Sequence, residues 1–122
     1  MFINLSNHPS DKWSSEQRAA ALAYGEIKDI QFPNIPPDAT TQEVYNLAQG
    51  YYQQITTISN QETQTPMHIM GEMTFTCTLI AMLQKGGFRC VAATSQRNTV
   101  ENPDGSKTIV FNFVQFRDYP QI

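Results

Sequence analysis

The sequence has few cysteines and no long apolar segment. Its two cysteines, Cys77 and Cys90, lack the Cys-x-x-Cys spacing of zinc and redox sites, so we expect both to be reduced thiols in the core. No apolar run approaches the roughly 20 residues that a membrane-spanning helix requires, and the first residues lack the pattern of a secretory signal. We therefore expect a soluble domain without disulfides or membrane association, located in the cytoplasm.

Charged residues are also scarce. They make up 16% of the 122 residues, with a net charge of −3, and the pI is near 5.2. An acidic chain of this kind lacks the broad basic surface that follows the phosphates of duplex DNA or RNA. A small anionic ligand is still compatible with this charge, because one pocket needs only a few local donors.

The common catalytic and cofactor motifs are missing as well. The chain has no Gly-x-Gly-x-x-Gly or Walker loop and no Gly-x-Ser-x-Gly elbow. Its two histidines, His8 and His68, are far apart and have no pair of carboxylates nearby, so we expect neither a metal nor a cofactor. An enzyme of this sequence must rely on positioning and electrostatic stabilisation. Cleavage of a phosphodiester by its own 2′-hydroxyl suits such an enzyme, because the nucleophile is already part of the substrate.

What the chain does have is a regular alternation of strand and helix patterns. Hydrophobic residues make up 40%, and the length predicts a single domain over residues 1–122. Capping-box patterns predict helices that begin after Ser14 and after Thr40, and a third apolar helix is predicted over 74–85. Strands are predicted over 2–5, 26–30, 66–70, 88–93 and 107–117. This order predicts a three-layer Rossmann-like α/β fold with a mostly parallel sheet of order 2-1-3-4 and a final antiparallel strand.

The last predicted strand is apolar on both faces and follows the turn Asn102-Pro103-Asp104-Gly105. Residues 94–101 are expected either to extend the fourth strand or to pair with the last one. Strict alternation places Val110, Val114 and Phe116 on one face, and Ile109, Phe111 and Phe113 on the other.

Polar residues follow the first, third and fourth strands, where a doubly wound sheet binds its ligands. They are Ser6, Asn7, His8 and Lys12 in the first loop, Gly71, Glu72, Thr74 and Thr76 in the second, and Ser95 and Arg97 after the fourth strand. Most are hydrogen-bond donors or supply free backbone N–H groups at a helix start, which suit phosphate oxygens. We therefore predict that the first two loops meet and bind a small anionic ligand. The alternative is that these residues only cap helices and form turns.

Roles within this predicted site differ from residue to residue. His8 is the candidate for acid–base chemistry because it lies in a loop, with Lys12 close by in sequence. Glu72 either acts as a base or complements the helix dipole, and Trp13 offers a stacking face. His68 lies within a strand, so we expect it to be a hydrogen-bonded core residue that supports the turn.

Two segments resemble a known family. The strand and turn Phe2-Ile3-Asn4-Leu5-Ser6-Asn7-His8-Pro9, and the turn Gly71-Glu72-Met73-Thr74-Phe75-Thr76, resemble those of small CRISPR-associated proteins related to CARF (CRISPR-associated Rossmann fold) domains. The resemblance implies an antiviral role and a homodimer whose paired loops hold a cyclic oligoadenylate, either to sense it or to cleave it as a ring nuclease.

Residue by residue, the resemblance matches Ser6, Asn7 and His8 to the first ligand loop, and Gly71, Thr74 and Thr76 to the second. The chain has one parallel strand fewer than the usual CARF core and carries no effector domain, which favours ligand capture, ligand cleavage or a separate partner. We therefore expect it to bind a cyclic or linear oligonucleotide second messenger, with slow metal-independent cleavage as a further activity. The alternative is a non-catalytic module that sequesters a ligand or binds a partner.

Overall fold

In the computed structural model, which describes residues 1–122, helices and strands alternate before a long terminal hairpin. The strands are β1 (Phe2–Ser6), β2 (Ile27–Asp29), β3 (Met67–Met70), β4 (Cys90–Glu101) and β5 (Lys107–Asp118). The helices are α1 (Ser15–Leu22), α2 (Thr41–Ile58) and α3 (Met73–Lys85), with a short 3-10 helix at Ser10–Lys12. None of the helices has the length and apolar character needed to cross a membrane.

The five strands form one sheet of order β2-β1-β3-β4-β5. All neighbouring pairs are parallel except β4 and β5, which are antiparallel. The predicted class and strand order are therefore confirmed. The register also places Asn4 of β1 directly between Asp29 of β2 and His68 of β3, so three polar residues form one row across neighbouring strands.

Local sequence explains where the helices begin. The Ser14 hydroxyl accepts a hydrogen bond from the Gln17 N–H at 3.2 Å and caps α1. Thr40 and Glu43 form a reciprocal capping box at the start of α2, with both hydrogen bonds at 3.1 Å. Each cap satisfies donors that have no partner inside the helix, and both were predicted.

The two faces of the sheet are covered unequally. A cluster of 13 buried residues, which includes Ile3, Leu5 and Ile69, packs the sheet against α2 and α3. On the opposite face the buried apolar cluster contains only Phe2, Ala21 and Val91. Because side chains alternate along a strand, Asn4 and His68 point to this second, thinly covered face.

The cysteines fall into different environments. Both are free, but Cys90 is buried whereas Cys77 is exposed. Burial raises the pKa of the Cys90 thiol to about 12. The expectation of a core thiol was wrong for Cys77, because α3 buries Phe75, Leu79 and Leu83 on its other side.

The β4–β5 hairpin is a ribbon that runs well beyond β3, since β3 pairs only with Cys90 and Val91 of β4. A bulge interrupts the ribbon: Thr94 is opposite Gln115, but Ser95 is opposite Phe113. The extra residue shifts the alternation of β5. The rings of Phe113 and Phe116 lie 5.0 Å apart, so their predicted placement on opposite faces was wrong.

Candidate functional site

A cavity of about 670 Å³ lies at the carboxyl edge of β1 and β3, on the thinly covered face of the sheet. Volumes of about 300 to 1,000 Å³ are typical of small-molecule sites. The first loop and the start of α1, the end of β3 and the ribbon each form part of its wall. The lining residues are Ser6, Asn7, His8, Lys12, Trp13, Ser14, Gln17, His68, Met70, Gly71, Ala93, Thr94, Ser95, Phe111 and Phe113.

The structure brings together six of the residues that the sequence placed in the site. These are Ser6, Asn7, His8, Lys12, Gly71 and Ser95. The first loop and the end of β3 are joined directly, because the Asn7 N–H donates to the Met70 carbonyl oxygen at 3.2 Å. The strand order reverses between β1 and β3, which is where the two loops were expected to meet.

The other four predicted residues lie outside the cavity lining. Glu72 caps α3 by accepting hydrogen bonds from the Phe75 N–H and the Thr74 hydroxyl, both at 2.7 Å. These hydrogen bonds, with that of Phe75 the larger cause, lower the pKa of Glu72. Thr76 is buried and its hydroxyl has no partner, whereas Arg97 is exposed on the ribbon. Their role in ligand binding stays a prediction.

Gly71 is held by close packing against an aromatic ring. A Cβ atom at this position would overlap the ring of Phe32. Any side chain at residue 71 must therefore displace Phe32, whose ring packs edge-on against Phe75 with 5.3 Å between ring centroids. The need for glycine here is accounted for by Phe32, independently of any ligand.

Asn4, which sequence reasoning did not include in the site, lies beneath the cavity at the centre of a hydrogen-bond network. Its amide N–H groups donate to Asp29 Oδ1 at 2.8 Å and to the His8 carbonyl oxygen at 3.1 Å. Its Oδ1 lies 2.8 Å from the Ser6 hydroxyl and 2.9 Å from His68 Nδ1. Since both acceptors face the amide nitrogen, the orientation of the amide group is fixed.

Asp29 anchors the network at its outer end. Its carboxylate accepts hydrogen bonds from the Ser10 hydroxyl at 2.5 Å and from the Ser10 N–H at 3.1 Å. Partial burial acts to raise the pKa of Asp29, but hydrogen bonds from Ser10 and Asn4 outweigh it, and the pKa is lowered. The carboxylate is therefore ionised at neutral pH and holds the Asn4 amide in place.

The same network fixes the backbone of the first loop. The carbonyl oxygen of His8 accepts hydrogen bonds from Asn4, from the Ser6 hydroxyl at 3.0 Å and from Trp13 Nε1 at 3.0 Å. The side chain of His8 remains exposed. An exposed histidine on an anchored backbone is suited to acid–base work on a bound ligand.

His68 is a buried, hydrogen-bonded residue, as predicted, but it is the second residue that sequence reasoning left outside the site. It is only 2% exposed and lines the cavity. Burial first, and the nearby His8 second, lower the pKa of His68 to about 4, so its ring is neutral at pH 7. One feature of the sequence could have identified His68: each of three neighbouring parallel strands contains a polar residue. Because buried polar groups need partners, such residues are expected to contact one another.

The residues at the cavity favour anions over cations. Lys12 supplies a positive charge, and the remaining polar groups are hydroxyls, amides and imidazoles. No group of three or more histidine, cysteine, aspartate or glutamate side chains is arranged to hold a metal ion.

Comparison with known proteins gives one match. A family model described as the uncharacterized protein MJ1673 family matches residues 1–117. No curated protein and no solved structure matches the chain. The family match spans nearly the whole domain, and therefore every element that forms the cavity.

Proposed function

The chain belongs to the uncharacterized MJ1673 family, and we propose that it binds a cyclic or linear oligonucleotide second messenger of the cyclic oligoadenylate type in this cavity. The observation that carries the proposal is the combination of anion donors and aromatic faces in one site. Lys12 and Ser95 line the same cavity as Trp13, Phe111 and Phe113. An oligonucleotide has the matching features, since its phosphates need donors and its bases stack on aromatic rings.

Cleavage of the bound messenger is a second part of the proposal. The 2′-hydroxyl of each ribose is an internal nucleophile, so a protein accelerates the reaction by fixing the phosphodiester in line with it. In this step the 2′-oxygen bonds to phosphorus as the bond from phosphorus to the 5′-oxygen breaks. His8 would take the proton of the 2′-hydroxyl and return it to the leaving 5′-oxygen, and Lys12 would stabilise charge on the phosphate oxygens. Both lie on the loop that Asn4 and Ser6 anchor, and the mechanism uses no metal.

The ribbon supports a homodimer. Large apolar side chains remain exposed on it, with exposed fractions of 47% for Ile109, 67% for Phe111 and 57% for Val114. β5 is also the last strand of the sheet, so its outer edge is unpaired. Because Phe111 lines the cavity, a second copy packed on the ribbon would extend the site. We propose such a dimer, located in the cytoplasm.

One observation favours the alternative, a non-catalytic module that sequesters a ligand or binds a partner. Glu72 and Thr74 bond to each other and to the start of α3. Two of the predicted polar residues are therefore engaged as a helix cap. A site that holds its ligand without cleaving it needs only the remaining donors.

The single tryptophan provides the test. Trp13 lines the cavity, so binding of cyclic oligoadenylates of several ring sizes, or of their linear forms, should change its fluorescence saturably. Lys12→Ala should weaken binding about tenfold, as expected for loss of one charge-assisted contact. The matched control Lys107→Ala, at the far end of the ribbon, should bind like the wild type.

Chromatography of the same mixtures identifies the activity. Intact ligand after incubation supports capture, and linear products that form without added metal support the nuclease. If no oligoadenylate binds at any ring size, the proposal is wrong.

A further inference from the structure

We infer that His68 Nε2 is the hydrogen-bond acceptor for a proton-bearing group of the ligand, either a ribose hydroxyl or the amino group of a base. The inference rests on the proposed function and deepens it. It assigns different parts of the ligand to two residues of the cavity: phosphate to Lys12, and a neutral hydrogen-bond donor to His68.

The orientation of Asn4 determines the tautomer of His68. Both N–H groups of the Asn4 amide are used, one by the Asp29 carboxylate and one by the His8 carbonyl oxygen. The Asn4 oxygen must therefore face His68 Nδ1, which lies 2.9 Å away. An oxygen that faces a ring nitrogen at this distance requires the proton to be on that nitrogen. In the neutral ring, Nε2 then carries a lone pair and no proton.

Nε2 has no hydrogen-bond partner in the protein, although it is buried. Most buried polar atoms in folded proteins are paired, and an unpaired one costs stability. Here the other end of the same ring is held by a network that continues through Asn4 to Asp29. A side chain that is oriented so firmly and yet leaves its tip unpaired, in the wall of a cavity, is arranged to pair with a ligand.

The chemistry of a bare imidazole nitrogen restricts what can bind there. A lone pair repels a phosphate oxygen and attracts an O–H or N–H group. The positive group of the cavity is Lys12 in the first loop, so phosphate is expected there. Of the groups on a ribonucleotide, the ribose hydroxyls and the base amines are the neutral donors that could reach His68.

Three aromatic rings lie near His68, and that of Phe2 is tilted with 6.3 Å between ring centroids. Trp13 lies edge-on with 5.5 Å between ring centroids, and Phe116 lies edge-on with 5.3 Å between centroids. Trp13 is half-buried and lines the same cavity as His68, so a ligand bound at Nε2 would change the surroundings of its indole ring. Fluorescence of Trp13 therefore reports ligand binding at His68.

The test compares three ligands on the wild type and on two variants. The ligands are a cyclic oligoadenylate that binds the wild type, its 2′-deoxy analogue and its inosine analogue, which lacks the amino group. His68→Asn keeps a donor toward Asn4 but removes the acceptor at the tip. His68→Gln places an oxygen near the position of Nε2. Thermal unfolding of both variants confirms that they are folded.

We expect the wild type to bind one of the two analogues about tenfold more weakly than the parent, as for a buried acceptor that loses its donor. The analogue that is weakened identifies the donor as hydroxyl or amine. His68→Asn should bind all three ligands within a factor of about two, whereas His68→Gln should keep part of the preference.

Other results would overturn the inference. If the wild type binds all three ligands equally, or if His68→Asn keeps the full preference, His68 reads no donor, and the proposed function stands without it. If no cyclic oligoadenylate binds the wild type, the proposed function fails and the inference fails with it. Nitrogen NMR of the wild type gives a second readout that needs no variant. The Nε2 resonance should move on addition of the parent ligand, and an unchanged resonance contradicts the inference.

Discussion

Replacement of Asn4 by leucine should destabilise the domain far more than the same change on its surface. The leucine side chain is similar in size but has neither donor nor acceptor. It removes the partner of His68 Nδ1 and releases one hydrogen bond each from Ser6, Asp29 and the His8 carbonyl. Asn4 is 1% exposed, so water cannot easily replace the lost contacts.

The magnitude follows from which groups keep a second partner. Ser6 retains its hydrogen bond to the His8 carbonyl at 3.0 Å, and Asp29 retains both hydrogen bonds from Ser10. Ser6 and Asp29 should therefore each contribute little to the loss of stability. The Nδ1–H group of His68 loses its only partner, which costs about 1–3 kcal/mol for a buried donor. With the smaller losses added, we expect the free energy of unfolding to fall by about 2–4 kcal/mol, a large share of the roughly 5–15 kcal/mol typical of a domain.

Urea unfolding followed by circular dichroism measures this change. The midpoint should fall while the slope with urea stays constant, since the variant exposes the same surface on unfolding. Asn112→Leu is the matched control, because Asn112 is exposed on the ribbon, and its effect should stay within about 0.5 kcal/mol. Equal midpoints for Asn4→Leu and Asn112→Leu would refute the central role of the network.

Three further predictions follow from the structure. Because the pKa of His68 falls from 6.5 to about 4 on folding, the unfolded chain binds an extra proton between these pH values. The free energy of unfolding should therefore decrease by about 3 kcal/mol as the pH falls across this window. When the unfolding of His68→Gln is measured over the same pH range, most of the decrease above pH 5 should be missing. Gly71→Val should lower the thermal midpoint by displacing Phe32, and an unchanged midpoint would contradict this packing. Ile109→Ser should shift a dimer toward monomer in sedimentation, whereas Leu22→Ser, equally exposed on α1, should not.

The fold was largely predictable because its signals are local. The caps at Ser14 and Thr40 depend on residues three positions apart, and the apolar stripe of α2 is readable along one segment. Strand order then followed from the right-handed crossovers of a parallel sheet. The bulge opposite Thr94 was not predictable, because strict alternation is the default expectation and no glycine marks the position.

The candidate site was predictable only in part, for a related reason. The loops after β1 and β3 follow their strands directly, so their meeting could be inferred from the strand order. The row formed by Asp29, Asn4 and His68 depends on register between three strands, which no single segment contains. His68 was therefore assigned to the core and Asn4 was left without a role, although the two side chains are hydrogen-bonded to each other beneath the cavity.

The most direct test of ligand binding at this cavity is NMR mapping of backbone amides during titration with a cyclic oligoadenylate. We predict that the largest shifts occur at Asn7, His8 and Gly71, around the carboxyl edge of β1 and β3. Shifts confined to the shallow groove between α2 and α3, at Tyr45 and Lys85, or no shifts at all, would contradict the proposed site.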